Sequence, residues 1–238
     1  MNDILLIHGG SHGAWCWDGV IAELAEQGWR GHAPDLPGAG DDPTPREEVT
    51  LDLCVAAVSN YIQQHDLREF VLLGHSLAGI LLPEVIAAQK ENVRSAIYLA
   101  AFILNKGERG IDLVAPERRP DYYHLADASA DRSLMLPYDV ARPRFFNDLS
   151  EEAATAAYRK LTPQPLAPYL QPADHGANEF ASISRYIICR DDHNLPYETC
   201  LHYAQKLGVE AEEIKAGHDV MLSQPEELTR LIVEGESV

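Results

Sequence analysis

Basic residues are scarce in this chain. Nineteen lysines and arginines stand against 37 aspartates and glutamates, a formal charge of −18. A field of that sign repels phosphate backbones and anionic lipid headgroups, so neither nucleic-acid nor membrane partners are expected. Cysteine is sparse as well: Cys16, Cys54, Cys189 and Cys200 are scattered, with no Cys-x-x-Cys pair. That usage fits small buried hydrophobes in a reducing compartment. No stretch approaches the roughly 18 apolar residues of a membrane span. The chain runs from Met1-Asn2-Asp3 straight into Ile4-Leu5-Leu6-Ile7, without the basic flank of a secretory leader. Cytoplasm is the expected compartment. Internal repeats and low-complexity tracts are missing too.

What is present is a chain of 238 residues, 46% hydrophobic and 24% charged, enough for one large α/β domain. Its first hundred residues alternate strand-like and helix-like segments. Asp3 to Ile7 reads as strand, Trp17 to Gln27 as a helix closed by Gly28, and Trp29 to Leu36 as strand. Thr50 suits the N-cap of a helix through about His65, Phe70 to Leu73 is a third strand, and Ala96 to Ala101 a fourth. From about 103 to 180 the rhythm breaks into Pro, Asp, Arg and aromatic residues with modest helical periodicity, clearest from Ser150 to Leu161. It then returns: strand at Arg185 to Cys189, helix at Pro196 to Leu207, strand at Ala211 to Lys215, helix at Gln224 to Val233. Such alternation predicts a mostly parallel, doubly wound sheet covered on both faces. Residues 1–102 and 181–238 would form the core, with 103–180 inserted between two parts of the sheet as a helical lid.

The sharpest motif is Phe70-Val71-Leu72-Leu73-Gly74-His75-Ser76-Leu77-Ala78-Gly79. A β-rich run meets Gly-x-Ser-x-small just before an apolar, helix-like segment, the pattern of a nucleophile elbow. Small residues at 74 and 78 permit the tight turn, and Gly79 allows close packing behind it. A serine of ordinary pKa needs a base, itself oriented by a carboxylate. His218, in Ala216-Gly217-His218-Asp219, falls between the last strand and the last helix, where such sheets place their sites. His75 adjoins Ser76 but points elsewhere across the elbow. The loop Arg190-Asp191-Asp192-His193-Asn194-Leu195-Pro196 offers two carboxylates. Asp192 is preferred, because Leu195-Pro196 after it opens the next helix, and Asp191 is the alternative. After the first strand, His8-Gly9-Gly10-Ser11-His12-Gly13-Ala14-Trp15 lets backbone amides approach a substrate carbonyl. The amides of Gly10 and Leu77 are assigned to an oxyanion hole, each donor contributing roughly 10²–10³ in rate. That run lacks Gly-x-Gly-x-x-Gly spacing and a Lys-Ser/Thr ending, which disfavours a phosphate loop.

These residues carry a resemblance. His8 to Trp17 (His-Gly-Gly-Ser-His-Gly-Ala-Trp-Cys-Trp), the Asp35–Gly40 turn, Gly74 to Gly79, Leu99-Ala100-Ala101-Phe102 and the loops of Asp192 and His218 together resemble one group of small α/β-hydrolases. The group contains plant hydroxynitrile lyases and methyl-ester esterases such as the methyl salicylate esterases. The resemblance places the triad on Ser76, Asp192 and His218, and the oxyanion amides on Gly10 and Leu77. The lyases resembled carry threonine where this chain has Gly9, and a lysine directly after the catalytic histidine that helps hold cyanide. Here that residue is Asp219, of the opposite sign, so the esterase branch is favoured.

The expected function is therefore serine hydrolysis of a small-molecule carboxylic ester through an acyl-enzyme, with no metal or organic cofactor required. Ser11, His12, Tyr122, Tyr123, Leu136, Tyr138, Phe145 and Phe146 are candidates for substrate contact, with Leu134 and Met135 beside them. A homodimer is compatible with the sequence. The rivals are a lactonase, thioesterase, carbon–carbon hydrolase or hydroxynitrile lyase on the same scaffold, or a ligand-binding protein with little turnover.

Overall fold

Continuous apolar runs with no polar alternation can only be strands if both faces are covered. Ile4–Ile7 and Phe70–Leu73 are fully buried in the computed structural model, which describes residues 2–236. The strands in chain order are β1 (Asn2–Ile7), β2 (Trp29–His32), β3 (Phe70–His75), β4 (Val93–Leu99), β5 (Ser133–Leu134), β6 (Gln164–Pro165), β7 (Ser184–Cys189) and β8 (Ala211–Ile214). Six of them form one sheet in the order β2-β1-β3-β4-β7-β8, every neighbouring pair parallel. The helices are α1 (Asp18–Glu26), α2 (Leu51–Gln64), α3 (Leu82–Ala88), α4 (Arg119–Asp127), α5 (Tyr138–Phe145), α6 (Glu151–Tyr158), α7 (Ala167–Leu170), α8 (Tyr197–Leu207), α9 (Val220–Ser223) and α10 (Pro225–Gly235).

One apolar cluster joins a face of the sheet to α2, α3 and α8 through Leu5, Leu72, Val58, Ile86 and Leu207. The other joins the opposite face to α1 and α10 through Ile4, Leu73, Leu24 and Ile232. Local signals set the helix ends. The Thr50 hydroxyl accepts from the Leu53 amide at 3.1 Å, and Ser150 caps α6 in the same way through Ala153. Beyond α1, Gly28 takes φ +77°, a left-handed turn that costs glycine little.

The expected strand from Trp29 to Leu36 ends instead at His32. Only four β1 residues pair with it, and Pro34 and Pro37 lack the N–H a longer ladder would need. The helix expected directly after Ser76 begins as a 3-10 turn, Ser76–Ile80, before α3 proper. Between β4 and β7 the chain holds α4 to α7 and also a short antiparallel pair, β5 with β6, which its Pro-rich composition did not suggest.

The order of the strands locates the site. From β1 the chain moves outward to β2, then returns to place β3 on the other side of β1. Loops leaving the carboxyl ends of β1 and β3 therefore diverge, opening a crevice at the point where the winding reverses. Gly9–Gly10 follows β1, and Ser76 follows β3.

Candidate active site

The turn after β3 is tight enough to force an unusual backbone. Ser76 has φ +53°, a left-handed conformation rare for a side chain with a Cβ. Small neighbours make it possible: a Cβ on Gly74 would fall 2.3 Å from Leu82 Cδ1, and one on Gly79 2.2 Å from the Phe102 carbonyl oxygen. The Phe102 amide in turn donates to the Ser76 carbonyl at 3.0 Å, fastening the elbow to the chain leaving β4. Gly9 is equally constrained, since a Cβ there would lie 3.0 Å from Ser76 Cβ and from His75 Nδ1.

Three distant loops meet at this serine. Ser76 Oγ lies 3.0 Å from His218 Nε2, and His218 Nδ1 lies 2.7 Å from Asp192 Oδ2. All three residues are buried. The Asp192 carboxylate also accepts the Asn194 and Leu195 amides on Oδ1, at 2.7 and 2.8 Å. With Nδ1–H facing a carboxylate and Nε2 facing a hydroxyl, the imidazole is held as the tautomer that accepts from serine. Asp191, the alternative carboxylate, is exposed and takes no part in this chain. Its amide is spent on the Ala216 carbonyl.

The His218 loop is braced from several sides, by residues the sequence did not mark. Asp148 accepts the Gly217 amide and the Ser223 hydroxyl, both at 2.7 Å. His75 Nε2–H donates to the His218 carbonyl at 3.0 Å. Burial, with the nearby His218 and His12 rings, pushes the His75 pKa well below its ordinary value, so it stays neutral. Asn194 Nδ2 approaches His218 Nε2 at 3.2 Å. The Phe145 ring stacks on the His218 ring with centroids 5.7 Å apart.

Asp219 does not face the cavity as a free carboxylate. It is fully buried, and its Oδ2 lies 2.8 Å from His12 Nε2. His12 Nδ1 donates to the Gly10 carbonyl at 2.8 Å, so both ring nitrogens act as donors and the ring is an imidazolium. Burial alone would lower the His12 pKa, but the Asp219 charge and hydrogen bond outweigh it and raise it. This buried ion pair ties the loop after β1 to the loop carrying His218. Removing one partner of such a pair typically costs roughly 3–5 kcal/mol, because the other is left charged and alone. His75, His218 and Asp219 each bring a ligand atom within 4.8 Å of the others. The His218 nitrogens in that group are held by Asp192 and Ser76, so the cluster reads as hydrogen-bonded relays.

His8 behaves oppositely. Its Nδ1–H donates to the Gly9 carbonyl at 2.8 Å, and Nε2 accepts the Leu36 amide at 3.1 Å, an arrangement that requires the neutral ring. Burial lowers its pKa to about 4. Because the unfolded chain binds that proton near pH 6.5 and the fold does not, stability is complete above pH 6.5 and falls as pH drops toward the folded value. The expected loss is about 3 kcal/mol by pH 4 from this residue. Urea midpoints at pH 7.5, 5 and 4 should show the decline, and His8→Gln, which cannot titrate, should lose less across the range. Equal losses would remove His8 as a cause.

A cavity of about 560 Å³ opens over Ser76 and His218. Gly10, Ser11 and Leu77 line its floor, and a Cβ on Gly10 would lie 3.2 Å from Leu77 Cδ2. His12 touches the wall, but with both nitrogens committed it has no polar group to offer. Of the aromatic and apolar candidates in the insertion, Tyr122, Leu134, Met135, Leu136 and Phe145 line the cavity. Tyr123, Tyr138 and Phe146 do not. Phe146 is wholly buried against Ala154, Ala157 and Leu161, and the Tyr138 hydroxyl turns to Glu151 at 2.5 Å and Thr155 at 3.1 Å. Tyr123 lies half-buried on α4 away from the lining. Sequence reasoning overlooked Gln164, whose Oε1 accepts the Ser11 amide at 3.1 Å and which joins the lining. It also overlooked Tyr169, Tyr203 and Arg144. Gln164, Tyr169 and Arg144 fall in an irregular insertion with no spacing to single them out, and Tyr203, on α8, reads from the sequence as an ordinary buried helix residue.

A parallel sheet, an elbow serine at its switch point and a Ser–His–Asp chain across three loops agree with a family comparison. The model of the alpha/beta hydrolase family matches residues 4–231. The chain belongs to that family. Within it, the chain is 28% identical to a carbendazim hydrolyzing esterase of a Nocardioides species, over 96% of this chain and 97% of that one. It is 25% identical to methylesterase 18 of Arabidopsis thaliana, over 99% and 97% of the two. Among solved structures, an extracellular alpha/beta-hydrolase from a Paenibacillus species superposes with TM-score 0.89 at 28% identity, covering 98% of each chain. That hydrolase is described as sharing structural and functional homology with tobacco salicylic acid binding protein 2. The similarity thus runs to the methyl-ester branch of the family and to bacterial esterases. No helix among the described residues is long and apolar enough to cross a membrane.

Proposed function

We propose that Ser76, His218 and Asp192 hydrolyse a small carboxylic ester by double displacement. The protein is a carboxylic ester hydrolase, and the observation that carries the mechanism is the unbroken relay from Ser76 Oγ through His218 to Asp192, at 3.0 and 2.7 Å. Ser76 Oγ attacks the ester carbonyl as His218 Nε2 takes its proton. The carbonyl π pair moves onto oxygen, which the Gly10 and Leu77 amides hold in the crevice between β1 and β3. The tetrahedral adduct collapses, His218 protonates the departing alkoxide, and the alcohol leaves. A water deprotonated by the same imidazole then releases the acid and restores Ser76. Asp192 remains ionised and stabilises the imidazolium.

Residues 103–180 act as the lid. Support comes from Phe145 stacked on His218 and from the side chains this segment supplies to the cavity wall. The relatives' names point to methyl esters and to carbendazim, and a largely apolar cavity of about 560 Å³ suits an ester of modest size.

A fluorophosphonate probe tests the reading. Native protein should be labelled on the peptide carrying Ser76, in step with turnover of p-nitrophenyl butyrate. No labelling together with no ester turnover would favour a ligand-binding protein. Cyanide release from mandelonitrile faster than ester hydrolysis would favour a lyase.

A further inference from the structure

Arg144 is an arginine without a carboxylate in a chain that has almost two acids for every base. Among the described residues, every other arginine except Arg159 lies within ion-pair distance of an aspartate or glutamate. Arg159 is exposed on the surface. Arg144 is half-buried, sits in the cavity wall above Ser76, and has no hydrogen-bond partner. Withdrawing a guanidinium partly from water without a partner is unfavourable, and such groups ordinarily find a counter-charge.

Its place at the end of α5 does not supply one. A basic side chain in the last turn can cap the final carbonyls. Here that task belongs to Arg142, which donates to the Phe146 carbonyl, to the Leu149 carbonyl at 2.9 Å and to Glu151 at 3.2 Å. Arg118, the other arginine of the wall, is matched by Asp121 at 3.0 Å. The next residue after Arg144 is Phe145, the ring stacked on His218, and Arg144 lines the same cavity as Phe145, Ser76 and His218.

We infer that Arg144 is a specificity-determining residue that binds an anionic group of the substrate, so that the preferred substrates are esters that also carry a free carboxylate, on the acyl or the alcohol side. This rests on the ester-hydrolase reading of the same cavity and adds the substrate class to it. The guanidinium fork matches a carboxylate in two parallel hydrogen bonds. The apolar wall takes the hydrocarbon part, while the acidic exterior discourages anions without such a local partner.

Two matched ester pairs test it. One places the charge on the acyl side, p-nitrophenyl hemiglutarate against p-nitrophenyl pentanoate. The other places it on the alcohol side, 4-acetoxybenzoate against 4-acetoxybenzamide. The readout is the charged-to-neutral ratio of kcat/KM, which cancels any general change in activity. From wild type to Arg144→Gln the ratio should fall about tenfold in at least one pair, mainly through KM, and Arg144→Lys should retain part of it. Unchanged ratios in both pairs overturn the inference. If Arg144→Gln does not fold, salt decides on the wild type, over roughly 0.05–0.5 M. A ratio that falls with salt supports the cation, and one that stays flat or rises rejects it. Calorimetric binding of the same esters to Ser76→Ala reads the preference without turnover. Lost hydrolysis of the neutral esters would therefore sink the esterase reading separately.

Discussion

Ser76→Ala is expected to cut kcat for p-nitrophenyl butyrate on the order of 10⁶-fold, the scale on which a triad serine acts. The change removes one oxygen from a site already shaped for a small residue, and Ser76 is buried between β3 and α3. The left-handed backbone at φ +53° comes from the turn and its glycines, so alanine inherits the same strain rather than adding to it. His218 keeps its bond to Asp192 and its approach to Asn194. Circular dichroism and the urea midpoint should therefore change little while the first, stoichiometric burst of p-nitrophenol disappears. The residual rate need not reach that of water, since the amides of Gly10 and Leu77 would still polarise a bound ester. Full turnover in this variant would leave the relay as a structural hydrogen-bond chain and require another nucleophile.

Much of this was legible in the residues, for reasons that differ from element to element. Gly74-His75-Ser76-Leu77-Ala78-Gly79 announces itself because the turn tolerates few side chains, and the clashes at Gly74 and Gly79 are that constraint in atomic terms. Thr50 and Ser150 predict helix starts because a hydroxyl in the right place has one local job, and both perform it. His218 and Asp192 could be chosen because loops at the carboxyl ends of strands converge in a doubly wound sheet. The insertion resisted the same treatment. Whether Phe145 or Phe146 faces the cavity depends on a rotation of one residue, about 100° on a helix, and the composition is aromatic either way. Likewise, the meaning of Asp219 depended on a partner more than two hundred residues away. Read alone it is an anion of the wrong sign for cyanide; paired with His12 it is one half of a neutralised buried bridge.

Asp192→Asn should be nearly as damaging as loss of the serine, although it changes neither size nor shape. The Asn194 and Leu195 amides both point at Oδ1 of residue 192, and an asparagine can meet two N–H donors only with its carbonyl oxygen. That orientation turns the side-chain NH₂ toward His218 Nδ1, which must then accept rather than donate. The ring proton moves to Nε2 and faces Ser76 Oγ, so the base is protonated where it should receive. The expected cost is about 10⁴ in kcat, with KM for a neutral ester little changed. Asp191→Asn is the matched control one residue away: its side chain is exposed outside the relay, so its kcat should stay within about twofold of wild type. A purely structural role for Asp192 would lower the urea midpoint in step with activity, whereas a tautomer switch leaves a folded protein that fluorophosphonate labels far more slowly. If instead the two variants proved equally active, His218 would not depend on the carboxylate that lies 2.7 Å from it, and Ser76 would have to be activated without that support.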